Sequence, residues 1–222
     1  MDPYIGIAIT TKNRESAFNK CIEYHFMHQP INSKIFVVDD GSDILYCDPD
    51  LRNEYSKGIA SSKNSCLKLM HESGCDIFWL FDDDSFPLCE NWHLPYLESK
   101  QQHLCRTFYP SIRIENNISY HRISNGFAMM YTRHCIDTIG GFDVKFHNKY
   151  EHTSMSQRIY NAGLIPHPFI DVVDSDKLIY SMDEHNAIQR SFTEEEMQEN
   201  LKSGYDYFMS QANSKEFIEF RT

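Results

Sequence analysis

Asp76-Ile77-Phe78-Trp79-Leu80-Phe81-Asp82-Asp83-Asp84 sets five consecutive apolar residues directly against three carboxylates. An unbroken apolar run of this length reads as a strand covered on both faces. Such strands belong to open α/β sheets, whose ligands bind at the carboxyl ends of the strands. Three acids emerging together repel one another, and where water is scarce they persist only if paired, protonated or bound to a cation. Oxygen-only ligands select a hard divalent ion, Mg²⁺, Mn²⁺ or Ca²⁺, over Zn²⁺. A metal held by so few protein groups shares its other positions with water and substrate phosphate. A solvated acidic loop after a core strand would look the same in isolation, so the decision rests on the remainder of the chain.

Upstream, Tyr4 to Ile9 reads as a first strand, and Asn13 is placed to cap a helix carrying Ala17, Phe18, Cys21, Ile22 and His25 on one stripe. Lys34 to Val38 forms a second strand, which ends in Asp39-Asp40-Gly41-Ser42. A second helix runs from Gly58 to about Ser73, with Ile59, Leu67 and Met70 on one face and Gly74 as its stop. The strand quoted above follows at once. This βαβαβ order implies an α/β fold with a doubly wound, mostly parallel central sheet flanked by helices.

Downstream, the pattern predicts a helix over 91–102 and strand material over 119–131 broken by Asn125-Gly126. A turn at Gly140-Gly141-Phe142-Asp143, a helix over 151–162 and a strand over 177–181 come next. Thr193-Glu194-Glu195-Glu196 matches a capping box that opens a last helix through about Ser210. No linker, low-complexity tract or internal repeat divides the chain, so residues 1–222 read as a single domain.

Seven cysteines, an odd number without a C-x-x-C pair, signal neither a zinc knuckle nor a disulfide framework. No apolar stretch approaches the roughly 18 residues of a membrane span, and no basic leader precedes Tyr4. The expectation is a soluble protein of a reducing, cytoplasmic compartment. The net charge of −11 disfavours nucleic acid and anionic membrane as partners without excluding a local basic groove. Oligomeric state is not legible.

The nine glycines never form G-x-G-x-x-G, and no G-K-[ST] occurs, which removes the dinucleotide fingerprint and the P-loop. Four separated segments remain: Ile9-Thr10-Thr11-Lys12-Asn13-Arg14, Val37-Val38-Asp39-Asp40-Gly41-Ser42, Lys57-Gly58-Ile59-Ala60-Ser61-Ser62-Lys63-Asn64 and Phe81-Asp82-Asp83-Asp84. In order and spacing they resemble the family 2 glycosyltransferases, which have the GT-A fold and use sugar nucleotides. Lys63 stands where Arg is commoner in that family. Asn125-Gly126-Phe127-Ala128-Met129 and Gly140-Gly141-Phe142-Asp143 extend the resemblance to roughly residues 4–163.

The resemblance implies a nucleotide-binding half over 1–90 and an acceptor and sugar half over 91–222, with a C-terminal lid and helix. It implies a UDP-sugar donor, Mn²⁺ or Mg²⁺, an inverting transfer, and a glycan or glycoconjugate acceptor. Thr10, Thr11, Arg14, Asp39, Asp40, Lys63, Asp82 and Asp83 would contact the nucleotide. Asp39 would accept the uracil N3–H, and Lys63 would reach the pyrophosphate or anchor the nucleotide-binding loop. Asp84 would ligate the metal directly, Asp82 would reach the ribose or the metal, and Asp83, pointing the other way in an extended segment, ranks below both. Asn125, Gly126 and Asp143 would line the donor-sugar and acceptor pocket. The base would be Glu151 or His152, because the family's Glu-Asp at a helix start is here Glu-His. His185 would be a third metal ligand on the lid, with Arg190 as an alternative contact to the diphosphate, and Trp92 or Tyr109 would stack on a sugar.

Two other readings compete. A phosphohydrolase of the haloacid dehalogenase type also ends an apolar strand in Asp-x-Asp, but it needs Thr or Val where Phe86 stands. A non-catalytic nucleotide-sugar or glycan-binding module would account for the altered base. A small soluble enzyme of this kind would suit a phage or large virus, acting in host cytoplasm, as well as a cell.

Overall fold

The computed structural model describes residues 2–146, 149–185 and 194–220. In chain order the first elements are β1 (Ile5–Thr11), α1 (Glu15–Met27), β2 (Ser33–Asp39), β3 (Leu51–Arg52), α2 (Ile59–Glu72), β4 (Ile77–Asp82) and β5 (Ser85–Pro87). Then come α3 (Leu94–Glu98), β6 (His103–Cys105), β7 (Ser111–Glu115), β8 (Ile118–His121), β9 (Ala128–Thr132) and α4 (Arg133–Ile139). The last are α5 (Glu151–Asn161), β10 (Ile170–Val172), a 3₁₀ turn at Ser175–Lys177, β11 (Ile179–Ser181) and α6 (Glu194–Ser210).

The expected βαβαβ run is present, and the central sheet has the order β3-β2-β1-β4-β9-β6. Strands β3, β2, β1 and β4 are parallel, while β9 runs antiparallel to both β4 and β6. All seven residues of β1 are buried because strands flank it on both edges and helices cover both faces. Gly6 faces α2 so closely that a Cβ there would lie 2.6 Å from Met70 Cγ. On the opposite face His25 of α1 meets the Phe81 ring edge-on at 4.5 Å. The chain steps from β1 out to β2 and then returns to the other side of β1 as β4. That reversal is a topological switch point, and the crevice at its carboxyl edge is where such sheets bind ligands. The turns after β1, β2 and β4 all open there, and β9 enters the sheet from the same edge.

Two small sheets complete the molecule, β10-β8-β7 and β11-β5. The second matters for the crevice, because β5 starts one residue beyond Asp83-Asp84 and its partner β11 leads into 182–185. No helix among the described residues is long and apolar enough to cross a membrane. All seven cysteines are unpaired.

Several local expectations need correction. Asn13 does not cap α1: it takes a positive φ of 54°, and its side-chain amide exchanges two hydrogen bonds with Asp43 instead. The helix expected over 91–102 shrinks to α3, because Asn91 and Lys100 both adopt left-handed backbone on either side of it. Strands β3, β5, β6 and β10 hold two or three residues each, too few to display a period. The last helix is observed, but Thr193 of the expected capping box lies outside the described residues, as does Arg190.

The Gly140-Gly141 turn joins the far end of the chain to the core. Gly140 has φ +76° and pairs with Ile218, and Gly141 N donates to Ile218 O at 2.7 Å. A Cβ on Gly140 would collide with the Ile218 carbonyl. Gly140→Ala is therefore expected to lower stability by about 1–3 kcal/mol, read as a lower melting temperature; an unchanged melting curve would contradict this packing.

Candidate active site

The three acids of the triplet do different things. Asp83 is fully buried and accepts hydrogen bonds from Thr11 Oγ1 and from the Arg14 guanidinium. Arg14 Nη1 also donates to Asp84 Oδ2 at 3.0 Å, so one guanidinium from the α1 end of the β1 turn clamps two neighbouring carboxylates. Asp84 Oδ1 is buried without a hydrogen-bond partner. Asp82, the last residue of β4, keeps 27% of its side chain exposed and faces Lys63 instead. Burial pushes the Asp84 carboxyl up to about 7, with repulsion from Asp82 adding to it and Arg14 opposing. Burial likewise lifts Asp83 to about 6 against the pull of Arg14 and Thr11. Burial alone would lower the Arg14 pKa, but the three acids outweigh it and hold the guanidinium firmly charged.

Lys63 is the second cation. It sits on the inner face of α2 with its side chain 1% exposed, and its Nζ donates to Gly126 O at 2.9 Å and to Glu151 Oε1 at 3.3 Å. The same ammonium lies 3.4 Å from Asp82 Oδ1. Asp82, Gly126 and Glu151 come from the end of β4, the entry to β9 and the first turn of α5, so Lys63 joins three elements at the crevice. Two of its three ammonium donors are thus engaged by the protein, and it ties the start of α5 to the entry of β9. Burial raises the Glu151 carboxyl, but Lys63 and then His152 more than reverse this and keep it ionised, well below the ordinary range. Glu151 Oε2 is buried with no partner.

His152 follows on α5, with Nδ1 3.4 Å from Glu151 Oε1 and Nε2 3.3 Å from Ser124 O. Its ring presses on Gly126, where a Cβ would come within 2.7 Å of it. Any larger residue at 126 would displace the ring, the carbonyl that holds Lys63, or both.

Other expected site residues are engaged differently. Asp40 accepts four hydrogen bonds, from Asn53 Nδ2, Ser56 Oγ, Lys57 N and Gly58 N. That fills the roughly four lone-pair sites of a carboxylate, so the Asp40 oxygens are taken up in organising the 53–58 loop. Thr11 is likewise taken up by Asp83 and Tyr46. Asp39 holds Ser42 through Oδ1, while Oδ2 lies 3.2 Å from Arg52 Nε without a hydrogen bond and, like Thr10 Oγ1, remains unpartnered. Asn125 receives Thr107 Oγ1 and Phe108 N, which fixes the 107–108 turn beside it. Asp143 is bound by Tyr207 OH at 2.6 Å and by Lys145 N, and no hydrogen bond or ion pair joins it to the triplet or to Glu151. His185 is exposed and stacked on Tyr180 at 4.7 Å. Of the two aromatic residues, Trp92 is buried against Trp79 in the core, which removes it as a sugar platform, while Tyr109 stays partly exposed.

With this geometry in hand, comparison with known proteins is informative. No family model matches the chain. An uncharacterised glycosyltransferase of Acanthamoeba polyphaga mimivirus is 33% identical over 204 residues, covering 74% of this chain and 76% of the relative. The chain belongs to the glycosyltransferases. Its fold is of the GT-A type. The mannosyltransferase PcManGT of Pyrobaculum calidifontis, solved with GDP-Man and Mn²⁺, superposes at TM-score 0.66 and 12% identity over 95% of this chain. TarS of S. aureus gives 0.58 at 12% identity over 93% of this chain, and GalNAc-T7, solved with UDP, GalNAc and Mn²⁺, gives 0.60 at 12% over 77%. The chain spans 65%, 43% and 42% of those three structures.

The phosphohydrolase reading gives way to this membership. For a divalent ion, the donor set of the glycosyltransferase fits in part. Asp82, Asp83, Asp84 and Glu151 bring four carboxylates to two basic side chains, Arg14 and Lys63, and Asp84 Oδ1 is an orphaned buried acceptor. A cage of Asp82, Asp84 and His185 is not assembled: among the described residues no three His, Cys, Asp or Glu side chains are grouped to hold a metal. Stacking on Tyr180 accounts for His185. An ion would thus rest on Asp84 and Asp82 and complete its shell with water and phosphate.

Residues that sequence reasoning missed include Tyr46, whose hydroxyl meets Thr11, Ser42 and Arg14 N, and the Arg106–Glu184 ion pair that ties 182–185 to the core. Neither carries a clear local signal, since Thr11 and Arg14 lie 35 and 32 residues from Tyr46 and Glu184 lies 78 from Arg106.

Asp84 gives a pH test with a definite sign. A carboxyl whose folded pKa is raised contributes stability below its unfolded value, near 4, and loses it as pH climbs through about 7. Without added metal, the stability of Asp84→Asn relative to wild type should therefore improve steadily from pH 5 to pH 8 in urea unfolding. A flat difference would mean that Asp84 is not desolvated as described.

Proposed function

We propose that this glycosyltransferase moves a sugar from a UDP-sugar to an acceptor hydroxyl of a glycan or glycoconjugate, with inversion, and with Mn²⁺ or Mg²⁺ at Asp84 and Asp82. The observation that carries the reading is the single Lys63 ammonium within 3.4 Å of both Asp82 and Glu151. It sets a donor-side carboxylate and a candidate base on two sides of one crevice. A bound divalent ion would supply positive charge against the diphosphate that departs.

The protein's own residues account for the rest. Asp39 Oδ2, ion-paired with Arg52 but without a hydrogen bond, and Thr10 Oγ1 would meet a base and ribose, and Asp40 shapes the 53–58 loop around them. Arg14 holds Asp83 and Asp84 so that Asp84 presents its other oxygen. Between the two candidate bases, geometry favours Glu151. Both ring nitrogens of His152 face acceptors, Glu151 Oε1 and Ser124 O, so neither turns a free lone pair toward a substrate. Glu151 Oε2 is buried and unpartnered, a state that costs stability until a hydroxyl donates to it. His152 then orients Glu151. Residues 1–90 would serve the nucleotide and 91–222 the sugar and acceptor, and the viral relative suits an enzyme acting in host cytoplasm.

Hydrolysis of a panel of nucleotide-sugars with Mn²⁺ tests the donor. Turnover of a UDP-sugar by wild type is expected, with Glu151→Gln slowed by about 10²–10⁴-fold and His152→Ala by less. Turnover of only GDP-sugars would overturn the UDP assignment, and equal rates for wild type and Glu151→Gln would overturn the base.

A further inference from the structure

We propose that Lys63 is a positioning residue that couples the donor side of the site to the acceptor side by sharing one buried ammonium between Asp82 and Glu151. The inference rests on the proposed function for the roles of those two carboxylates, and goes beyond it in making them interdependent.

An ammonium has three donors and no acceptor. Here two of them meet Gly126 O and Glu151 Oε1 at 2.9 and 3.3 Å, and the charge forms an ion pair with Asp82 Oδ1 at 3.4 Å without a directed hydrogen bond. The side chain is 1% exposed, so water cannot replace a partner that leaves. Gly126 O is a fixed anchor, because the peptide around it is wedged against the His152 ring. The two carboxylates are the movable partners. If Asp82 turns toward a bound donor or its cation, the charge of Lys63 falls wholly on Glu151. If Glu151 loses its charge, Lys63 holds Asp82 more tightly and withdraws it from the donor. Such coupling is reciprocal by linkage. A compact point charge suits three converging acceptors, whereas the planar fork of arginine suits a bidentate partner.

The test is a double-substitution cycle. UDP and, separately, GDP are titrated calorimetrically with Mn²⁺ into wild type, Lys63→Met, Glu151→Gln and the double variant, and the melting temperature of each is measured without nucleotide. Glu151→Gln is expected to weaken Mn²⁺-dependent nucleotide binding at least fivefold when Lys63 is present and less than twofold in Lys63→Met. The double variant should melt higher than Lys63→Met alone, because the second change removes a buried charge left without its counter-ion. Lys63→Arg should restore the melting temperature and part of the fivefold effect. Equal effects of Glu151→Gln in both backgrounds would overturn the coupling, as would a large loss of nucleotide affinity in Lys63→Met with no interaction between the two substitutions. If neither nucleotide binds wild type with Mn²⁺, the donor reading fails and the melting temperatures decide alone: additive losses there would overturn the shared ammonium.

Discussion

Four carboxylates converge at the carboxyl edge of the sheet, and two basic side chains answer them. Arg14 neutralises the inner pair, Asp83 and Asp84, and Lys63 stands between the outer pair, Asp82 and Glu151. Buried like charges at this density are tolerated only with counter-ions. With all four ionised, two negative charges exceed the two cations, and the buried oxygens Asp82 Oδ1, Asp84 Oδ1 and Glu151 Oε2 have no hydrogen-bond partner. Under the proposed function, a divalent cation would offset that excess of negative charge and a substrate hydroxyl would meet Glu151. Most of the surrounding structure can be understood as holding that arrangement in place.

The scaffold does so by committing residues that look functional to support instead. Asp40 spends its oxygens on the 53–58 loop, which precedes α2 and so sets where Lys63 enters the crevice. Asn64, the next residue, binds both Phe142 N and Phe142 O and fixes the Gly140-Gly141 turn. That turn carries the chain toward α5, whose first residue is Glu151. One turn of α2 thereby aligns the start of α5 with the end of β4. On the other flank, β5 pairs with β11, and Met182 N donates to Asp84 O, so the segment through 185 is built onto the triplet itself.

Much of this was legible in the sequence. The strand ends at Thr11, Asp39 and Asp82 were visible because apolar runs stop abruptly at polar residues, and their order implied the sheet. The burial of Lys63 was legible too, though unread: Ala60, Lys63, Asn64, Leu67 and Met70 recur at helical spacing on the buried face of α2, which puts a lysine on an apolar stripe. What stayed hidden depends on contacts distant in sequence. Whether an acid such as Asp40 faces a loop or a ligand is decided by side-chain and backbone donors 13 to 18 residues away. Asn13 was misread because capping propensity and tolerance of positive φ belong to the same residue type. No local feature of the sequence separates a ligand from a ring stacked on tyrosine at His185.

That a divalent cation offsets this excess of negative charge is the central claim, and Mn²⁺ binding followed by electron paramagnetic resonance, with UDP present, tests it most directly. One ion per chain is expected for wild type, with binding lost in Asp84→Asn and retained in Asp83→Asn, because Asp83 is turned inward to Thr11 and Arg14. Equal Mn²⁺ binding by all three proteins, or none by wild type, would contradict the account.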